Sequence, residues 1–428
     1  MSPTVLVLLI VLAGIVTVIG SILLFRRHAF LALVLGALVV AMLTPRTNLQ
    51  NYFVDDAAVE IVEVTDSGLW IEASQADYPI GSTWLIVRRV GPGEHYKQVA
   101  SLKTGELTAS AENRSLLNWS AKFDQTSLQP GDLVVAPDEF ASANKSSRKK
   151  LGSKIAEAFG STAGKIGILI AMASIIGKCL LDSGAADRIV RSTLSRFGEQ
   201  RAPVAFLFSG FLLAIPVFFD TVFYLMIPLG KALRLRTGKN YLLYVLTIVA
   251  GGTMAHSLVP PTPGPLFVAE ELGVNIGTMI LAGCGVGLCT STVGLFWAHF
   301  VNRRNELPLR DTPDISLADL EKLSSRDEAS LPPLGLSLLP ILLPVFLIGG
   351  VTILGDTIDR FPDWLATILT TLGDKNIALV IAAAIAVAIL LRQTAVTRDE
   401  FAASMQSPLA GGGVIILITS AGGAFGQM

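Results

Sequence analysis

The sequence predicts an α-helical polytopic membrane protein of the inverted-repeat transporter type, with re-entrant hairpins and broken helices and a small all-β inserted domain. Three observations carry this. The 428 residues are 51% hydrophobic and only 16% charged, with a mean hydropathy of +0.59, far more apolar than a soluble protein of this size. The surplus is gathered into spans rather than spread along the chain. The stretch Ala202 to Pro265 is apolar enough for lipid yet interrupted twice, by Pro216 with Asp220 four residues on, and by His256 followed by Pro260, Pro261, Pro263 and Pro265. Backbone broken at membrane depth survives only where protein or a water-filled cavity satisfies it. Two breaks, each with an ionisable group, therefore imply a solute site of the kind transporters build.

The elements follow in order. Thr4 to Phe25 carries no charge and, at about 1.5 Å per residue, crosses a hydrocarbon core of roughly 30 Å. A signal peptide is the rival reading; it lacks a basic n-region and a small-residue cleavage site followed by a soluble domain. After Arg26-Arg27-His28, Ala29 to Thr44 is a second, shorter span. The two arginines favour a cytoplasmic turn.

From Asn51 to Ala143 the character changes. Val59 to Val64, Leu69 to Ile71, Ser82 to Val87 and Leu133 to Val135 are short β-branched or aromatic runs, separated by turn residues such as Asp66-Ser67-Gly68 and Gly91-Pro92-Gly93. They predict a soluble β-barrel or sandwich of five or six strands. His95 sits at a turn and reads as solvated; Trp70 and Trp84 read as core, because no basic stripe accompanies them. The basic linker Asn144 to Lys154 points to the cytoplasm, against Arg26 and Arg27, so the side of the insert stays open with a lean outward.

Ile166 to Leu181, interrupted by Gly177-Lys178 and closed by Asp182-Ser183-Gly184, is followed by an amphipathic piece with Ile189, Leu194 and Phe197 on its apolar face. This reads as a re-entrant hairpin, or as one span followed by a surface helix. Asp182 and Ser183 suit the N-cap of the return arm. Ile276 to Asn302 is a span rich in small residues that allow close helix contact, with His299 at its interfacial end. Arg303 to Ala329 is polar, Leu331 to Gly355 and Lys375 to Leu391 are spans, and Phe361 to Leu372 is too short to cross. At an offset of 249, Gly426-Gln427-Met428 falls on Gly177-Lys178-Cys179. The tail thus reads as the first arm of a second hairpin, as inverted-repeat carriers require, and a truncated product or fragment is expected. The domain reading is two helices over 1–45, the insert over 51–143, a first repeat over 144–300, a polar loop over 301–337, and the start of a second repeat over 338–428.

Net charge of −1 carries no nucleic-acid signature. Cys179, Cys284 and Cys289 lie in apolar spans without metal spacing, and no HExxH or GxSxG motif points to a hydrolase.

The ordered set Gly160-Ser161-Thr162-Ala163-Gly164-Lys165, Asp182-Ser183-Gly184-Ala185-Ala186-Asp187-Arg188-Ile189, Ile215-Pro216-Val217-Phe218-Phe219-Asp220 and His256-Ser257-Leu258-Val259-Pro260-Pro261-Thr262-Pro263-Gly264-Pro265 resembles the gluconate permease family, the gluconate:proton symporters of the ion transporter superfamily. The match is strong over 160–297, looser over the flanking spans and absent over the insert. Three departures stand out: Thr262 where the family pattern has a second histidine, the β-rich insert, and no later polar motif. The resemblance implies a multi-pass inner-membrane protein, not an enzyme, that takes up gluconate or a related sugar acid with a proton. It implies no cofactor, with Na+ as an alternative coupling ion. On this reading half-helix N-termini suit the carboxylate, Thr221, Thr253, Ser257 and Thr262 suit the hydroxyls, Asp220 is the first choice for the coupling group and His256 the second. Lys178, Asp182 and Ser183 complete the candidate substrate- or proton-binding set. Against these stand structural readings: Asp220 pairing with a buried lysine or capping the half-helix after Pro216, His256 bonding freed carbonyls, Asp182 and Ser183 only capping, and Lys178 snorkelling rather than meeting the carboxylate. The expected partners are a small carboxylate substrate, membrane lipid, a second copy in a homo-oligomer, and an unidentified ligand of the insert, with no nucleic acid. The alternative function is a membrane-anchored sensor or scaffold whose β-rich domain binds a partner.

Overall fold

The computed structural model describes residues 3–65, 68–71, 82–89, 96–103, 110–111, 114–117, 128–305, 307, 331–394 and 397–428. It forms two compact units, Met1–Gly160 with Ser420–Met428, and Ser161–Thr419.

In the first unit α1 (Pro3–Leu23) and α2 (Ala29–Leu43) lie antiparallel, Gly14 against Val40 and Gly36 against Val18, with the Phe425 ring edge filling the seam. Next come α3 (Arg46–Ala57), strands β1 (Val59–Thr65), β2 (Gly68–Ile71), β3 (Thr83–Arg89), β4 (Tyr96–Lys103), β5 (Ser110–Ala111), β6 (Arg114–Leu117) and β7 (Leu133–Val135), and helix α4 (Pro137–Ser147). The strands make one antiparallel sheet in the order β4-β3-β7-β1-β2-β6-β5. Successive strand residues face opposite sides, and here both sides are covered. Ile86 and Val134 pack with Ile61, Leu69 and Ile71, while their neighbours Val87 and Val135 pack with Val54 of α3 and Ala143 of α4. Polar pairs fix the register. Arg88 makes two bonds of 2.6 and 2.7 Å to the buried Asp132. The Tyr96 hydroxyl donates to Asp55 of α3; burial first, and then that bond, push the Tyr96 phenol up to about 12.

The described strands number seven rather than five or six. The sequence reading missed β4, whose Tyr-Lys-Gln-Val-Ala-Ser-Leu-Lys alternates too weakly, and the very short β5 and β6. Trp84 packs partly buried against the sheet core, its indole donating to Ser82 Oγ. His95 and the Trp70 side chain lie outside the described residues.

The second unit is helical. Helix α5 (Leu151–Asp182) passes through Gly177-Lys178 without a break, which corrects the expected interruption. Gly177 serves instead as a contact, since a Cβ there would stand 3.3 Å from Val217. The chain turns at Ser183-Gly184, where Gly184 adopts φ +77°, into amphipathic α6 (Ala185–Phe197), which buries Ile189 and Val190.

Helices α7 (Ala202–Leu213) and α8 (Phe219–Thr237) flank the break at Pro216. Both pack on α9 (Tyr241–Leu258), in opposite directions. Along α7, Phe206 meets Tyr244 and Gly210 lies by Ile248 and Gly252; along α8, Phe219 meets Gly252 and Gly230 meets Tyr244. Glu199, just before α7, pairs with Arg236 at the end of α8 at 2.5 Å. The chain therefore goes in and comes back. The re-entrant hairpin lies at α7–α8; over Ile166 to Phe197 the structure has the other of the two readings, one long helix followed by an amphipathic one.

Helix α9 breaks at Val259–Thr262 and continues as α10 (Pro263–Glu271). α11 (Ile276–Arg304) runs back along both: Gly283 touches Leu258, Ser291 donates to Ala250 O at 3.3 Å, and Asn302 reaches Asn240 at 3.0 Å. Small residues permit these approaches. A Cβ on Gly251 would collide with Leu207 O, and one on Gly283 with Leu258 O. α12 (Leu334–Leu354), short α13 (Asp363–Leu372) and α14 (Lys375–Gln393) follow, then α15 (Arg398–Gly426). α15 presses Gly412 against Ser174 of α5. Among the described residues seven helices are long and apolar enough to cross a membrane.

Candidate functional site

The hairpin tip, Ala214–Phe218, and the break in α9, Val259–Thr262, come together. Ile215 and Pro216 of the first and Pro260 and Pro261 of the second line one cavity of about 20 Å³, with Leu169 of α5 and Pro344 of α12 among its other walls. That is room for about one water molecule. The walls are almost wholly apolar, Lys375 being their one charged residue among the described residues. The structure thus shows the space between the breaks closed around them.

The polar groups stand beside this closed space. Asp220 lies exposed in the first turn of α8, where carboxylates are favoured by the helix dipole. Two residues before it, Phe218 meets the His256 ring edge-on at 6.2 Å. His256 Nδ1 is buried and meets no hydrogen-bond partner among the described residues. Thr221 is half-buried next to Asp220, and Ser257 is exposed next to His256. Two of the predicted hydroxyl ligands already spend their protons on backbone: Thr253 donates to Val249 O and Thr262 to Val259 O, each at 2.6 Å. Thr262, 4% exposed, thereby bridges the break in α9.

The remaining predicted residues lie on or next to α5. Lys178 follows Gly177, which touches the hairpin tip, but its ammonium pairs with Asp182 at 2.9 Å. Ser183 Oγ accepts from Ala185 N at 3.4 Å in the turn. Asp182 ends α5 and Gly184 holds the N-cap position of α6 with no side-chain cap bond, so neither Asp182 nor Ser183 is the N-cap that the sequence suggested. Sequence reasoning overlooked Lys375, which pairs with Glu270 across α14 and α10. Lys375 stands at the mouth of a plain apolar span, and only the pairing reveals it. Pro340 and Pro344, one turn apart inside α12, were the available signal for the opposite wall.

The second unit has two chemically different ends. Residues 199–203, 237–243 and 299–303 gather at one, with Lys239 and Arg303, and Arg236 paired there to Glu199. Glu270, Asn275, Thr352, Asp374 and Lys375 gather at the other. The 29 residues of α11 separate them by about 43 Å, at about 1.5 Å per residue. Positive charge marks the cytoplasmic side. No group of three or more His, Cys, Asp or Glu able to hold a metal occurs among the described residues.

A family model described as GntP family permease matches residues 133–428. The chain is 33% identical over 286 residues to an uncharacterized permease of Haemophilus influenzae, covering 64% of this chain and 58% of that protein. It is 32% identical over 284 residues to a gluconate permease of Pseudomonas aeruginosa, covering 65% and 61% respectively. It is 31% identical over 272 residues to the D-serine transporter DsdX of Escherichia coli, covering 63% and 59%. The chain spans about three fifths of the length of these relatives. No solved structure matches it.

Proposed function

The chain belongs to the GntP permease family, multi-pass inner-membrane carriers rather than enzymes, and on that premise we propose that it carries a short hydroxylated carboxylate, gluconate or a close relative, together with a proton. The observation behind this reading is the meeting of two helix breaks, with Asp220 in the first turn after one and His256 against Phe218 just before the other, its buried Nδ1 meeting no hydrogen-bond partner among the described residues. The relatives' names include both gluconate and D-serine. What those molecules share is a carboxylate on a short chain with a hydroxyl. All of these relatives are named as permeases or transporters, which gives the sensor or scaffold alternative no support.

The chemistry follows from charge. α8 and α10 both begin at the breaks, so their positive dipole ends lie there together with the unpaired N–H groups of the first turn of α8; α10 adds only the N–H of Gly264, because Pro263 and Pro265 have none. Asp220 already sits at the α8 end. Two carboxylates cannot share that end cheaply, because like charges a few ångströms apart in low dielectric repel strongly. The substrate anion enters when Asp220 carries a proton, and it leaves when the proton leaves. His256, beside Asp220 and with Nδ1 unpartnered, orients that carboxyl or a substrate hydroxyl. Thr221 and Ser257 supply further hydroxyls, while Thr253 and Thr262 keep lone pairs for a substrate O–H.

The test is uptake of radiolabelled gluconate and D-serine into vesicles under an imposed inward proton gradient. Gradient-driven accumulation that disappears in Asp220→Asn and falls in His256→Gln is the expected result. Undiminished gradient-driven uptake by Asp220→Asn would remove the coupling role from Asp220.

A further inference from the structure

A groove of about 500 Å³ opens at the acidic end of the second unit, lined among others by Glu270, Asn275, Thr352, Asp374 and Lys375. Its volume lies in the range that holds small ligands, whereas the cavity between the helix breaks holds about one water. The two spaces share only three wall residues, Ile276, Ile348 and Lys375. Those three side chains are the partition between them.

The ion pair lies on that partition. Lys375 Nζ contacts Glu270 Oε1, and the two side chains are 26% and 17% exposed. Glu270 stands at the end of α10, the half-helix that follows the break in α9, and Lys375 opens α14. The pair therefore ties the far end of a broken helix to its neighbour, where groove and cavity adjoin. The other charged wall group, Asp374, is occupied as N-cap of α14 by Asn376 N and Ile377 N. Asn275 likewise caps α11 and accepts from Thr352 at 2.9 Å. Among the described residues Lys375 is thus the groove's single cation, and its counter-ion is a carboxylate that an entering carboxylate can replace.

Resting on the permease reading above, we propose that this groove is the outer vestibule of the carboxylate path and that Glu270–Lys375 is its latch. The entering anion takes the place of Glu270 on Lys375. α10 is released from α14, and the partition of Ile276 and Ile348 opens to the space between the helix breaks. A half-buried pair suits this role: breaking it by removing one partner is costly, but exchanging one carboxylate for another keeps the lysine paired.

Leu379 lines the cavity and not the groove, which makes it the reporter. In the full chain with Cys179, Cys284 and Cys289 replaced by Ser, Leu379→Cys is treated from outside with a charged, membrane-impermeant thiol reagent. Slow labelling is expected with the latch intact. Glu270→Gln should speed it about tenfold, the equivalent of ~1.4 kcal/mol of latch. The exposed neighbour Glu271→Gln should leave it unchanged, and the swap Glu270→Lys with Lys375→Glu should restore slow labelling. Should Glu270→Gln fail to insert, Lys375→Gln carries the same expectation. Labelling that neither single variant accelerates, or that Glu271→Gln accelerates equally, overturns the latch. Added gluconate or D-serine should accelerate labelling in the intact latch. If the variants accelerate it and neither solute does, the latch stands and the substrate class proposed above falls.

Discussion

The two breaks that a proline makes in this protein look alike in sequence and act differently in the fold. Each is an apolar stretch interrupted by proline with an ionisable group nearby, Pro216 with Asp220 and Pro260-Pro261 with His256. At the first the chain reverses, α8 returning to the end from which α7 entered. At the second it continues, and α10 carries on beside the first turns of α11. Local backbone chemistry does not decide between these outcomes, because proline only removes a donor and fixes φ. Charge does. The segment after the first break carries Lys231, Arg234, Arg236 and Lys239, while that after the second carries Glu270 and Glu271. α7 itself leaves a basic end marked by Arg196 and Arg201, so the first segment has to go back to the cytoplasmic side and the second is free to cross.

Reversing Arg234, Arg236 and Lys239 to Glu together removes the reason for the return. It should abolish most of the correctly inserted protein, seen as loss of cytoplasm-side labelling at residue 239. Next in size is the seam that holds both arms to α9. Gly251→Val forces a side chain into Leu207 O, and overpacking of this kind costs about 1–3 kcal/mol; the thermal midpoint in detergent should fall accordingly. The break in α9 rests on α11 through Gly283, so Gly283→Ala should lower the midpoint. Gly285→Ala, with open space around it, should hold or raise it, since Ala gains up to about 1 kcal/mol over Gly in a helix. The smallest effect belongs to Glu199→Gln. Its pair with Arg236 is 53% and 71% exposed, and such pairs contribute at most about 1 kcal/mol.

Much of the architecture was legible because lipid leaves few choices. Spans, both breaks, Asp220 and His256 follow from apolar runs and from what those runs should not contain. The direction of the chain after each break was also written in the sequence, in the charges beyond it, although reading the breaks alone did not reveal it. Of the two readings of Ile166 to Phe197, the hairpin fails for a simple reason: Gly177-Lys178 suggests a turn, but in a helix packed on Val217 the glycine is there for closeness. Lys375 was hidden because a lysine at the start of a span reads as an interfacial anchor until its partner, Glu270, is seen 105 residues away. In the insert, alternation revealed the strands whose two faces are both buried and missed β4 and the short β5 and β6.

The most direct test of the difference between the two breaks is sidedness. With the native cysteines replaced by Ser, single cysteines at the exposed positions Glu199, Lys239 and Glu271 are probed with a membrane-impermeant thiol reagent from each side of the membrane. Labelling of 199 and 239 from the same side, and of 271 from the other, is what a returning hairpin and a continuing broken helix require. Labelling of 199 and 239 from opposite sides would contradict the account.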